Sequence, residues 1–186
     1  MFFQILKHDQ KYELNQVANI HKDVLHKTIA TTLSSKNLSR LYELLILSKK
    51  LEIVIATNSS NEVLGSILIN KNKFNFLNIK MIKLFLILIS GILKHPTIWI
   101  KEIYFKIGLY NKLTYNLKIQ AVIINSKYQG QGIGKELLNY VINNSSGKVV
   151  LDTRVDNYTA QKFYLENNFH IHKKNKKNIS FKKIIN

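Results

Sequence analysis

Tyr128-Gln129-Gly130-Gln131-Gly132-Ile133-Gly134-Lys135 is the stretch on which the reading of this chain turns. It ends a run of β-formers, Leu117 to Ile124, and opens a helical pattern through Glu136, Leu137, Leu138, Tyr140, Val141 and Ile142. Its glycines remove side chains where the backbone must turn sharply, so that amide hydrogens can converge at the start of a helix. Such a cluster, at the positive end of the helix dipole, suits a phosphate or pyrophosphate. Lys127 and Lys135 flank the turn and add positive charge. A phosphorylated cofactor is expected here.

Two familiar phosphate motifs do not fit. Glycines at 130, 132 and 134 give G-x-G-x-G rather than the G-x-G-x-x-G of dinucleotide sites, and Gly134-Lys135 is followed by Glu136 instead of the hydroxyl a P-loop needs. Read as Gln129-x-x-Gly132-x-Gly134, the segment resembles the coenzyme A pyrophosphate loop of the GNAT acyl-CoA N-acyltransferase superfamily. Downstream of a short strand, Lys148 to Thr153, Asn157-Tyr158-Thr159-Ala160-Gln161-Lys162-Phe163-Tyr164-Leu165-Glu166-Asn167-Asn168-Phe169 resembles that superfamily's N-x-x-A-x-x-[FL]-Y-x-x-x-G-F signature. Asn168 replaces the usual glycine. The position ends a helix and wants a left-handed backbone, which Asn tolerates better than other non-glycine residues.

The resemblance implies an α/β (α+β) GNAT fold: a mixed, mostly antiparallel sheet splayed between its fourth and fifth strands and flanked by helices. The order β-α-α-β-β then β-α-β-α-β-β is legible directly. Phe2 to Leu6 reads as a strand, Leu14 to Ile29 as a helix through Val17, Ile20, Val24, Leu25 and Ile29, and Ser35 to Leu47 as a second helix. Leu51–Thr57 and Val63–Asn70 read as strands joined by a turn at Asn58–Asn61, and Ile179–Ile185 as a closing strand. Between the third and fourth strands, Lys71 to Tyr115 is an insertion. Its apolar first part (Ile79 to Leu93), Pro96 and a mixed second part (Ile98 to Leu113) fit a helical hairpin. Residues 1–186 are expected to form a single N-acetyltransferase domain with this insertion as a wall over the acceptor site, a surface-docking element or a cover for one sheet edge. Similar insertions in acetyltransferase-like proteins encoded with surface-polysaccharide genes point to an amino-sugar acceptor.

Composition bounds the chemistry. The 186 residues suffice for a substantial core, and with no cysteine there is no disulfide, thiolate zinc site or cysteinyl acyl-enzyme. Direct attack of an acceptor amine on the thioester is then the simpler scheme. The N-terminus lacks the pattern of a signal peptide, and the apolar run Leu84–Leu93 falls short of the roughly 20 residues a spanning helix needs. A cytoplasmic location is expected. The formal charge of +17 favours anionic partners: coenzyme A, a nucleotide-linked substrate, nucleic acid or an anionic membrane face. It is equally what a Lys-, Asn- and Ile-rich gene composition would give as solvated lysines.

What the resemblance implies for the site is specific. The strand residues Val122, Ile123 and Ile124 would pair through their backbone with the pantetheine arm, a strand amide serving the oxyanion. Gln129, Gly130, Gln131, Gly132, Ile133, Gly134 and Lys135 would hold the pyrophosphate. Tyr164 matches the general acid for the coenzyme A thiolate, its phenol starting protonated with a pKa near 10; a packed aromatic beside Phe163 is the plainer role. Asn157 matches a position that caps a helix and touches coenzyme A. Asp152 stands where some branches carry a glutamate proposed as base, with an ion pair or hydrogen bond to a cation such as Arg154 as the alternative. His21 and Glu102 face the acceptor side in this reading, each with a structural or solvated role as the stronger alternative. His170 and His172 lack a third ligand, so no metal is expected. The implied cosubstrate is acetyl-CoA and the partner a small-molecule amine. A peptide or protein amine, and a non-catalytic acyl-CoA-binding or surface-docking module, are the competing readings. Weak association with an anionic membrane is allowed, no groove-reading nucleic-acid motif is present, and monomer and homodimer both remain open.

Overall fold

The computed structural model describes residues 1–25, 28–70, 81–100 and 115–185. In chain order the elements are β1 (Phe2–Ile5), α1 (Lys11–Val24), α2 (Ile29–Thr32), α3 (Ser35–Leu47), β2 (Glu52–Thr57), β3 (Val63–Asn70), α4 (Met81–Lys94), β4 (Leu117–Ile124), a 3-10 turn (Ser126–Tyr128), α5 (Ile133–Asn143), β5 (Gly147–Arg154), α6 (Tyr158–Glu166), β6 (His170–Lys174) and β7 (Asn178–Ile185). The strands form a seven-stranded sheet in the order β1-β2-β3-β4-β5-β7-β6. All neighbours are antiparallel except β4 and β5, which run parallel.

Two apolar cores lie on the sheet's opposite faces. α5, through Leu137, Leu138 and Val141, packs with Val54, Ile67, Ile119, Leu151, Phe169 and Phe181 on one side. On the other, Leu14, Val17 and Ala18 of α1 and Leu38 and Tyr42 of α3 cover Ile53, Ile55, Leu68 and Ile123. Every residue of β3 is buried, as a strand covered on both faces must be.

The expected helix from Leu14 to Ile29 is two helices. Leu25 leaves the helical region at φ −102°, ψ 124°. Thr28 then starts a new turn with a reciprocal box: Thr31 N donates to Thr28 Oγ1 at 3.3 Å, and Thr28 N donates to Thr31 Oγ1 at 3.1 Å. Ile29 continues the apolar spacing across this break although it is only half-buried. The insertion starts as α4, and residues 96–100 are helical again, with Pro96 at a first position where its missing N–H costs nothing. Most of the expected second helix and Glu102 lie outside the described residues. α4 is docked onto α2 without slack: a Cβ at Gly91 would stand 2.7 Å from Thr32 Oγ1 and 2.9 Å from Leu33. Buried Trp99 donates from Nε1 to Thr32 Oγ1 at 3.1 Å. Among the described residues no helix is long and apolar enough to cross a membrane.

Candidate active site

The parallel ladder between β4 and β5 spans only Leu117–Ile119 against Val149–Leu151. Beyond it both strands continue, to Ile124 and Arg154, without pairing with each other. The sheet opens there into a cleft. The cause is visible on the other side of β4, where Ile69 pairs with Ile119 and Leu68 with Ala121, so that Gln120 is a bulge. A bulge bends its strand and shifts the alternation of its side chains. Leu117 and Ile119 belong to the α5 core, whereas Ala121 and Ile123 join the α1–α3 core. Asn125 N donates to Leu64 O at 2.9 Å. By antiparallel alternation, Ile123 is therefore bonded to β3, and Val122 and Ile124 turn their N–H and C=O groups toward the cleft.

The glycine turn caps the upper end of this cleft. Gly130 and Gly132 have φ of +77° and +79°, and nothing stands within 4 Å of where a Cβ would be. Gly132 is the N-cap of α5 and offers no side chain to its first amides. The loop is held from outside. Gln129 Nε2 donates to Ile124 O at 3.1 Å and Gln131 Nε2 to Lys127 O at 3.3 Å. Asn125 Oδ1 accepts from Lys127 N at 3.2 Å, and Tyr128 Oη donates to Glu62 at 2.7 Å. Ile133 is buried beneath the turn, anchoring α5, while Lys135 is exposed. Gly134 lies against Ile124 and the Phe163 ring, each 3.6 Å from its Cβ position. A bare N-terminus beside open strand backbone is the shape a pyrophosphate with an extended, amide-bearing arm requires.

α6 carries the downstream motif. Asn157 Oδ1 accepts from Ala160 N at 3.1 Å, a capping bond. Its last turn closes as a Schellman motif: Phe169 N donates to Tyr164 O and Asn168 N to Leu165 O, both at 3.0 Å. Asn168 sits at φ +62°, the left-handed conformation expected of a residue replacing glycine there. Tyr164 is buried against Phe163, Phe169 and Phe181 at ring separations of 5.3, 5.8 and 5.9 Å. Burial raises its phenol pKa well above the usual value, so the hydroxyl stays protonated.

Asp152 lies one residue past the last β5 residue that pairs with β4, at the root of the cleft. Both of its oxygens are engaged: Lys118 Nζ donates at 2.7 Å and Ser180 Oγ at 2.5 Å. Its cation is Lys118, not Arg154, which pairs with Asp156 at 2.9 Å. The contact sits in the same cross-strand layer as the end of the ladder, a link that spacing along the chain does not display. His21 does not reach an acceptor side. It is buried under α3, its Nδ1 2.5 Å from Tyr42 Oη, and burial lowers its pKa to about 4. His170 and His172 are exposed on β6, and no three His, Cys, Asp or Glu among the described residues gather into a metal-binding group. The Gln120 bulge, Lys118 and Ser180 are the site features that sequence reasoning missed.

The family model described as acetyltransferase (GNAT) family matches residues 22–169. The chain belongs to this family. GNAT acetyltransferases use acetyl-CoA, and the open β4 backbone and bare α5 N-terminus described above fit that ligand. Solved structures agree on the fold. Aminoglycoside 6'-acetyltransferase type Ii is 13% identical, with a TM-score of 0.62 over 100% of this chain and 98% of its own. PaiA N-acetyltransferase from Thermoplasma acidophilum, solved in complex with coenzyme A, is 12% identical with a TM-score of 0.59 over 99% of both chains. Naa20 from Chaetomium thermophilum, in complex with a bisubstrate analogue, is 11% identical with a TM-score of 0.57 over 100% of this chain and 87% of its own. No curated protein matches the sequence.

Proposed function

We propose that this GNAT protein is an acetyl-CoA-dependent N-acetyltransferase that acetylates a primary amine of a small molecule such as an amino sugar, by direct attack. The observation that carries the reading is the cleft itself: a strand pair that opens after three residue pairs, directly below a glycine turn with nothing beside its Cβ positions. In this reading the α5 amides and Lys135 hold the pyrophosphate, and Val122 and Ile124 hydrogen-bond the pantetheine arm. Acetyl-CoA, when bound, supplies an activated thioester. A β4 amide stabilises the developing oxyanion, and Tyr164 Oη keeps a proton for the departing thiolate. Asp152, with both oxygens occupied, holds the root of the cleft in shape through Lys118 and Ser180. The amine's proton then leaves to solvent.

A small acceptor is favoured by the insertion. Its first helix is locked onto α2, next to the end of α1, through Gly91 and Trp99, and a fixed wall there narrows the approach. Acetyl-CoA-dependent thiol release, screened over amino sugars, polyamines and N-terminal peptides, tests the proposal. Release with at least one small amine and none with the peptides is expected. Turnover confined to peptides would overturn the small-molecule acceptor, and no turnover with any amine despite tight acetyl-CoA binding would favour a non-catalytic sensor.

A further inference from the structure

The sheet ends in two edges, β1 and β6, that are built differently. β6 is exposed along its whole length, carries Lys173 and Lys174, and slips in its pairing with β7 between Ile171 and Lys173. Lysines and a bulge are how an edge strand avoids pairing with a further strand. Residues 167–186 hold six lysines and no acid, so charge guards that end of the sheet. β1 has none of these devices. Phe2-Phe3-Gln4-Ile5 contains no charge and no proline, and it pairs with β2 without a slip. Its apolar side chains are nonetheless open to water, Phe2 at 63% and Ile5 at 48% exposure.

The backbone of this edge is open in a definite pattern. Leu6 N donates to Ile53 O at 2.8 Å. By antiparallel alternation Gln4 and Phe2 also bond to β2, and Phe3 and Ile5 turn their N–H and C=O groups outward. A second β1, laid antiparallel across a twofold axis at Gln4, sets Phe3 opposite the partner's Ile5 and Ile5 opposite the partner's Phe3. Each such pair exchanges two hydrogen bonds, so every outward N–H and C=O of Phe3 and Ile5 is used. Residues directly opposite share a face. Phe3 stacks on Tyr140 of α5 at 5.2 Å, and the partner's Ile5 comes beside these rings. On the other face Phe2 comes opposite the partner's Leu6.

Charge favours the same surface. Residues 1–24, which span β1 and α1, hold three basic and three acidic side chains, so the excess of +17 lies wholly in the rest of the chain. α5, which backs β1 through Tyr140, holds one of each, Lys135 and Glu136. Two copies therefore meet at this edge without the net repulsion that the lysine-rich β6 edge imposes.

We propose that two copies of this chain pair edge to edge through β1, in the register centred on Gln4, to form one continuous sheet. β1 lies three strands from β4, about 14 Å at normal strand spacing. Both clefts stay open in the pair, and the inference stands apart from the identity of the acceptor.

The test is sedimentation equilibrium of the full chain from micromolar to near-millimolar concentration, with amide hydrogen exchange followed at Phe3 and Ile5. A short paired strand makes a small interface, so a reversible dimer in this range is expected. It should persist as salt rises from about 0.15 to 0.5 M, with both amides exchanging more slowly as it forms. Ile5→Lys puts a charge into the pairing edge and should weaken the dimer at least about 10-fold. Ile171→Lys makes the same change on β6, at a residue 52% exposed, and should leave it unaltered. Phe2→Gln removes only exposed apolar surface, should weaken the dimer in the same direction, and decides the matter if the Ile5 variant does not fold. Acetyl-CoA binding should be the same in all of them. A monomer at every concentration, a dimer indifferent to the β1 variants, equal weakening by Ile171→Lys, or exchange at Phe3 and Ile5 independent of concentration overturns the proposal. So does a dimer dissolved by salt, which would rest on paired charges rather than on this edge.

Discussion

The two halves of the sheet are built to different rules. From β1 to β4 the strands lie between two apolar cores, and β3 is buried along its whole length. From β5 to β6 one face of the sheet joins the α5 core, while the other mixes Lys148, Asp152 and Lys182 with the buried Val150, Asn178 and Ser180. The boundary falls at the Gln120 bulge, where the halves part to form the cleft. The first half is buried on both faces of β3; in the proposed reading it is the boundary that holds the groups contacting acetyl-CoA.

This contrast is easiest to break with a matched pair of truncations. Ile67→Ala, in β3 and fully buried, should cost about 3–4 kcal/mol, whereas Ile184→Ala, in β7 and 62% exposed, should change stability by no more than about 0.5 kcal/mol. Urea unfolding reads both, and similar losses would show that the halves are equally load-sharing. Acidification probes the same half. His21, whose pKa burial lowers to about 4 from an ordinary 6.5, binds its proton more readily in the unfolded chain. Its stabilisation is therefore present above pH 6.5 and lost as pH falls toward 4, on the order of 3 kcal/mol in all. Unfolding midpoints followed from pH 7 to pH 4 should drop accordingly, and a flat profile would place His21 in water.

At the boundary, Tyr164→Phe should lower kcat about 100-fold while leaving the KM for acetyl-CoA and the melting temperature nearly unchanged. An unaltered kcat would reduce Tyr164 to packing. The smallest effect expected is from Asn168→Gly, which relieves a left-handed non-glycine residue and should stabilise by several tenths of a kcal/mol. A loss of stability there would mean that the Asn168 side chain makes contacts of its own.

What was legible in the sequence follows the same divide. Alternation and helical spacing placed β3, β4, α3 and α5 closely, because strands and helices that bury whole faces write their period into the chain. The glycine turn and the Asn157–Phe169 motif were equally plain, since bare amides and a left-handed cap each demand particular residue types. The break between α1 and α2 was hidden because Ile29 keeps the apolar period while Thr28 restarts the helix. The bulge at Gln120 left no mark, as one extra residue among β-formers looks like any other. Lys118 was missed as the partner of Asp152 because they are 34 residues apart and meet only through strand register. The docking of Trp99 and Gly91 on Thr32 was invisible for the same reason.

The most direct test of the account is titration of acetyl-CoA into the wild-type protein and Gly132→Ala, with ATP as the competing anion, at low and high salt. A Cβ at Gly132 meets no protein atom within 4 Å, so it strains the φ of +79° by about 1–2 kcal/mol and projects into the ligand's space. Micromolar acetyl-CoA binding that exceeds ATP binding and survives salt, weakened at least about 10-fold by the alanine with the fold retained, is the predicted result. Equal, salt-abolished binding of both ligands, or acetyl-CoA binding indifferent to the alanine, would contradict the account.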